Sequence, residues 1–146
     1  MDRLGFYLSG PVPVERVLPL LARAARDKGE RLAVVSGEAG QRDLLSKSLW
    51  EERPTDFLAH GMAGEAHADR QPLLIADSCD RTNGATTAIL ADGIWREEAS
   101  GFDRVLLLFD DNGREAARGA WREFDAAEGL EREFWALEDG KWVRKL

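Results

Sequence analysis

Two groups of side chains in one short stretch have the types and spacing that chemistry requires. Asp110 and Asp111 are adjacent carboxylates directly after the apolar run Val105 to Phe109. If that run is a central strand, the pair stands at its carboxyl end, where open α/β sheets place their sites. Two carboxylates there could hold magnesium for a hydrolase. No second acidic cluster accompanies them to complete an oxygen cage, and capping the following helix at its positive end accounts for them with nothing further. The second group is Arg114, Arg118 and Arg122, at i, i+4 and i+8, with Trp121 on the shoulder of the stripe. Guanidinium groups beside a large ring suit a peptide that is both acidic and hydrophobic, and Arg and Trp are enriched at binding hot spots. The competing reading is a solvated face, since Glu115, Glu123 and Asp125 are near enough for weak ion pairs.

The elements that must position these residues are legible around them. Val105 to Phe109 is uniformly apolar, as a strand buried on both faces requires. Asn112 followed by Glu115 has the spacing of a helix-start capping box. At about 100° per residue, Gly113, Ala116, Ala117, Ala120 and Phe124 share one small apolar face, suited to close approach to a sheet. Upstream, Leu4 to Leu8 reads as a first strand. Residues 14–28 read as a helix with Val14, Val17, Leu18, Leu21 and Ala25 inward, Pro19 as a blemish and Gly29 as its stop. Leu32 to Ser36 is a second strand, followed by a helix reaching about Trp50. A short strand is expected near Phe57 and Leu58, then strands at Pro72 to Ala76 and Thr86 to Leu90, and a short helix near Trp95 to Ala99. Glu131 to Leu137 and Lys141 to Leu146, joined across Asp139-Gly140, read as a hairpin at the end or edge of the sheet. Alternating strands and helices predict an α/β three-layer sandwich: a mostly parallel central sheet, helices on both faces and a hairpin-like edge. With no repeat, low-complexity tract or linker, residues 1–146 read as one domain.

Other motifs carry less. The turn after the first strand, Ser9-Gly10-Pro11-Val12-Pro13, is no dinucleotide fingerprint, because its prolines remove backbone donors. Gly37-x-x-Gly40 sits where a phosphate could meet a helix N-terminus, but no Lys-Ser or Lys-Thr follows and Glu38 would repel the ligand. His60, His67 and Cys79 match no zinc spacing and have no positional support as a Cys-His nucleophile. The expectation is no catalytic residue, no metal and no cofactor.

The totals agree with a soluble binding module. The chain has 146 residues, is 44% hydrophobic and 32% charged, and so can bury a core without staples. Its net charge of -7 argues against broad phosphate contact with nucleic acid. One cysteine fits a reducing compartment. No apolar run approaches membrane-spanning length and the N-terminus lacks a signal core, so the expectation is cytoplasmic.

With these residues in view, the chain resembles the chi subunit of bacterial DNA polymerase III holoenzyme. The resemblance runs nearly end to end: Phe6-Tyr7, Leu49-Trp50, Phe57, His60, Gly64-Glu65, Pro72-Leu73-Leu74-Ile75, Asn83-Gly84 and the strand-helix unit Leu107 to Phe124. It implies a non-catalytic accessory protein that binds the acidic C-terminal tail of single-stranded DNA-binding protein, ending in Ile-Pro-Phe, and links it to the clamp loader. DNA would then be met only indirectly. The positions matching the family's tail-binding residues are Phe57, Leu107, Arg118, Trp121 and Arg122, to which the helix stripe adds Arg114. In that scheme Phe57, Leu107 and Trp121 wall a site for the terminal phenylalanine, and Arg118 holds its α-carboxylate. Arg122 and Arg114 meet the upstream acids. The family's pattern has tyrosine and lysine where this chain has Trp121 and Arg122, and residues 129–146 match it poorly. The resemblance also brings a psi subunit as a possible partner, with no contact assigned on this chain.

Overall fold

The computed structural model describes residues 1–51 and 58–146. Among the described residues, eight strands form one sheet: β1 (Arg3–Leu8), β2 (Leu32–Val35), β3 (Gly61–Met62), β4 (Leu73–Ala76), β5 (Thr87–Leu90), β6 (Arg104–Phe109), β7 (Glu131–Glu138) and β8 (Lys141–Arg144). Their order is β3-β4-β2-β5-β6-β1-β7-β8. Every pairing is parallel except the β7–β8 hairpin at one edge. Among the described residues, three helices, α1 (Val14–Asp27), α2 (Ala39–Glu51) and α3 (Arg114–Glu123), complete the α/β sandwich.

Side-chain alternation decides which layer each strand residue serves. Leu106 and Leu108 of β6 join the core under α1 and α2, together with Tyr7, Val34, Ile75 and Ile89. Val105, Leu107 and Phe109 turn to the opposite face, with Phe6, Leu8, Ala117 and Ala120. A strand covered on both sides has no position for a polar residue, which is why Val105 to Phe109 is unbroken. Helix α1 buries Val14, Val17, Leu18, Pro19, Ala22 and Ala25, with Leu21 only partly covered. It accepts Pro19 at the loss of one intrahelical bond. It ends as the sequence predicts: Gly29 has φ +70, and Gly29 and Glu30 donate to the Arg26 and Ala25 carbonyls.

The hairpin turn also follows from its residues. Asp139 and Gly140 both take positive φ, 51° and 77°, the twist a two-residue turn needs between right-twisted strands. The sequence leaves open where this hairpin docks. It docks on β1, in parallel, with Phe134 beside Phe6 and Trp135 beside Tyr7.

Two local expectations are corrected. Of the short strand expected near Phe57 and Leu58, Phe57 lies outside the described residues. Leu58 is buried without strand pairing, and the edge strand is Gly61–Met62. The segment near Trp95 to Ala99 is a 3-10 turn over Glu97–Gly101.

Candidate functional site

The site begins with how α3 is held. The sequence suggests Asn112 as the cap, with Glu115. The structure uses Asp110 instead: its carboxylate accepts the Asn112 N–H at 3.0 Å and starts a single 3-10 turn, Asp111–Gly113, ahead of the helix. Helix α3 itself begins after Gly113 with no side-chain cap. The reason is space: an ideal Cβ at Gly113 would lie 3.1 Å from the Phe109 Cβ, so the chain turns directly against β6. Asp111 is also occupied, by Arg114 Nε at 3.0 Å.

From that start, Ala117 and Ala120 are buried against the sheet and Phe124 is half-buried, as the pattern predicts. Ala116 is not; it is exposed. The contact line of the helix is rotated toward Trp121, whose ring packs edge-on to Phe6 at 5.0 Å and to Phe134 at 6.3 Å. Burial of a large ring outweighs burial of one methyl.

Between α3, the carboxyl ends of β1 and β6, and the hairpin lies a cavity of about 230 Å³. Phe6, Leu8, Phe109, Phe134, Ala117 and Trp121 form its apolar wall; Arg114 and Arg118 stand on its rim, and Leu146 closes one side. The size decides its class. Drug-sized ligands occupy about 300–1,000 Å³, and this smaller space is of a size to take one or two side chains.

The arginines of the stripe are not equivalent. Arg114 is tied to Asp111. Among the described residues, neither Arg118 nor Arg122 has an acidic partner, and Asp125 pairs with Arg132 instead. Arg118 thus lacks the ion pairs that the solvated-face reading invokes and, among the described residues, stands exposed and unpaired beside an apolar cavity. Arg122 is exposed and does not line the cavity. Leu107 is fully buried in the same cluster, next to Phe6 in register, and supports the site from beneath. Phe57 lies outside the described residues.

Several contributors escape detection in the sequence, and Phe6 and Leu8 of β1 are among them. Phe134 and Leu146 come from the hairpin, and their place depends on where β7 docks. Phe109 is hidden in an apolar run with no mark to separate wall from core. Arg132 of β7 lies over the Trp121 ring at 4.0 Å and donates to the Trp121 carbonyl at 2.6 Å. A signal existed for Arg132: it stands two residues from Phe134, on the same face of one strand.

The competing constellations come apart. The Gly37 N–H, which a phosphate would need, donates to Asp92 at 2.9 Å. Desolvation pushes the Asp92 carboxyl up, but the paired Arg96 and the Gly37 and Ile94 N–H groups hold it below its ordinary value. His60 is held between Ser46 and the Leu58 carbonyl, and burial pushes the Cys79 thiol up, away from a reactive thiolate. Among the described residues, no three His, Cys, Asp or Glu side chains group as a metal would require. A larger cleft of about 320 Å³ lies on the opposite face, between α1 and the hairpin. Its guanidinium groups are committed, Arg3 to Glu133 and Arg104 to the Tyr7 hydroxyl. Among the described residues, no helix is long and apolar enough to cross a membrane.

Comparison with curated proteins found no match. The family comparison did: residues 1–133 match the family described as DNA polymerase III chi subunit, HolC. With nine-tenths of the sequence inside that match, the chain belongs to the DNA polymerase III chi-subunit family, and so to the accessory subunits of that polymerase.

Proposed function

We propose that the α3 cavity receives the acidic C-terminal tail of single-stranded DNA-binding protein, and that the chain thereby ties coated template to the clamp loader. The observation that carries this reading is Arg118: a guanidinium with no partner among the described residues, at the mouth of a small cavity walled by aromatic rings. A peptide ending in phenylalanine brings the two matching groups, a ring and an α-carboxylate, a few ångströms apart. The ring enters among Phe6, Phe109, Trp121 and Phe134, and Arg118 takes the carboxylate, bidentately where its fork allows. Arg114 and Arg122 face the upstream acids from the outer stripe. Phe57 joins the ring site in the scheme that the family resemblance implies.

The chain acts in this reading as a single, non-catalytic, cytoplasmic chi-like domain. It meets DNA only through its partner and joins clamp-loader subunits, with psi where that subunit exists. The runner-up, a metal-dependent hydrolase at Asp110 and Asp111, is not favoured, because Asp110 caps the turn and Asp111 pairs with Arg114.

The test is a titration with a synthetic acidic peptide ending in Asp-Ile-Pro-Phe, at two salt concentrations, beside a peptide lacking the last residue. The expected result is a dissociation constant on the order of micromolar, weakened by salt and weakened by about tenfold or more without the final phenylalanine. Binding indifferent to that residue would overturn the reading.

A further inference from the structure

Residues 134–146 lie beyond the stretch that matches the family, yet two of them complete the wall of the α3 cavity. Phe134 is placed by the parallel β1–β7 register, beside Phe6. Leu146 is placed by the hairpin. The β7–β8 register sets Arg144 opposite Trp135, and the chain runs on so that Lys145 N–H donates to the Phe134 carbonyl at 2.7 Å. The Leu146 carbonyl is then held from two sides, by Phe134 N–H at 3.4 Å and Arg144 Nε at 2.9 Å. Its main chain is hydrogen-bonded, while the residue as a whole, at the cavity edge, is 66% exposed. An apolar side chain anchored at the edge of an apolar cavity gains most when a ligand covers it, because that is when its surface leaves water.

We infer that Leu146 is the outer wall of the peptide site and makes it select a large apolar terminal side chain. This rests on the tail-binding reading above and deepens it. With Phe134 and Trp121 on the inner side, a ring that enters the cavity is bounded by Leu146 on the side left open by α3. A small terminal residue does not reach Leu146 and gains nothing from it. The selecting contact thus comes from the hairpin, whereas the carboxylate contact comes from α3.

The experiment measures affinities of the chain and of Leu146→Ala for two acidic peptides, one ending in phenylalanine and one in alanine. Superimposed melting curves establish that the exposed Leu146→Ala change leaves the fold intact. The expected result is a loss of about fivefold for the phenylalanine-ended peptide, the effect of losing contact with one or two buried carbons. Affinity for the alanine-ended peptide stays unchanged, so discrimination between the two shrinks by the same factor. An unchanged ratio, or an equal loss for both peptides, overturns the role of Leu146 and leaves the tail reading standing. If the unmodified chain binds neither peptide, the tail reading fails and this inference fails with it.

Discussion

The guanidinium of Arg132 lies 4.0 Å from the centre of the Trp121 ring and donates to the Trp121 carbonyl, while its second bond goes to Asp125 at 2.9 Å. A single residue of β7 therefore fixes both the face and the backbone of the indole that walls the cavity. Only a planar, multi-donor cation can stack and bond in this way, so lysine is no substitute. Arg132→Ala is expected to cost about 1–2 kcal/mol. At roughly 2–4 °C per kcal/mol for a chain of this size, a thermal melt resolves it. Peptide affinity should fall as well, although Arg132 lines no part of the cavity. Unchanged melting and binding would show the clamp to be idle.

Arg118 and Arg122 differ in position by one helical turn and should differ in effect. Arg118→Ala removes a charged bond to the peptide carboxylate and is expected to weaken binding about tenfold or more. Arg122→Ala, outside the cavity, is expected to cost less than about threefold at moderate salt. Calorimetry on both variants separates them. Equal losses would mean that the stripe acts only as a diffuse positive surface.

Asp110 caps the turn before α3 and Asp111 pairs with Arg114, so neither is expected to contact the peptide. Asp110→Ala removes the cap and should lower stability by about 1 kcal/mol, while peptide affinity stays within about twofold. Chemical denaturation and titration of the same variant check both halves. A magnesium-dependent hydrolytic activity abolished by this change would revive the enzyme reading.

Glu133 makes the hairpin sensitive to acid. Desolvation pushes its carboxyl up, yet the Trp135 N–H at 3.1 Å, the Arg3 guanidinium at 3.2 Å and Arg144 together hold it below its ordinary value of 4.5. A depressed folded value means that the stabilisation is complete above the unfolded value and is lost as pH falls through the folded one. The melting temperature should therefore fall on acidification below about pH 5, and Glu133→Gln should flatten that part of the curve. Parallel curves for the two proteins would remove Glu133 as the cause.

The strands and helices were readable because their signals are local. Unbroken apolar runs gave β2 and β6, Gly29 ended α1, and Asp139-Gly140 gave the hairpin. The arginine stripe and Trp121 were readable because helical spacing places them. What the sequence hid depends on contacts distant along the chain. The parallel docking of β7 on β1 brings Phe134 to Phe6 and Leu146 to the cavity edge, and no local pattern specifies that pairing. The cap moved from Asn112 to Asp110 for a similar reason: Gly113 must pass close to Phe109, which propensity alone does not see.

Nuclear magnetic resonance shows where the peptide sits. In the ¹⁵N-labelled protein each of the five tryptophans gives an indole N–H signal. On adding the acidic phenylalanine-ended peptide, saturable shifts are expected for the Trp121 indole, the α3 amides around Arg118, and the Phe134 and Leu146 amides. The signals of Trp50 and Trp142 should stay in place. Shifts centred on Trp142 and the cleft between α1 and the hairpin, with Trp121 unmoved, would contradict this placement.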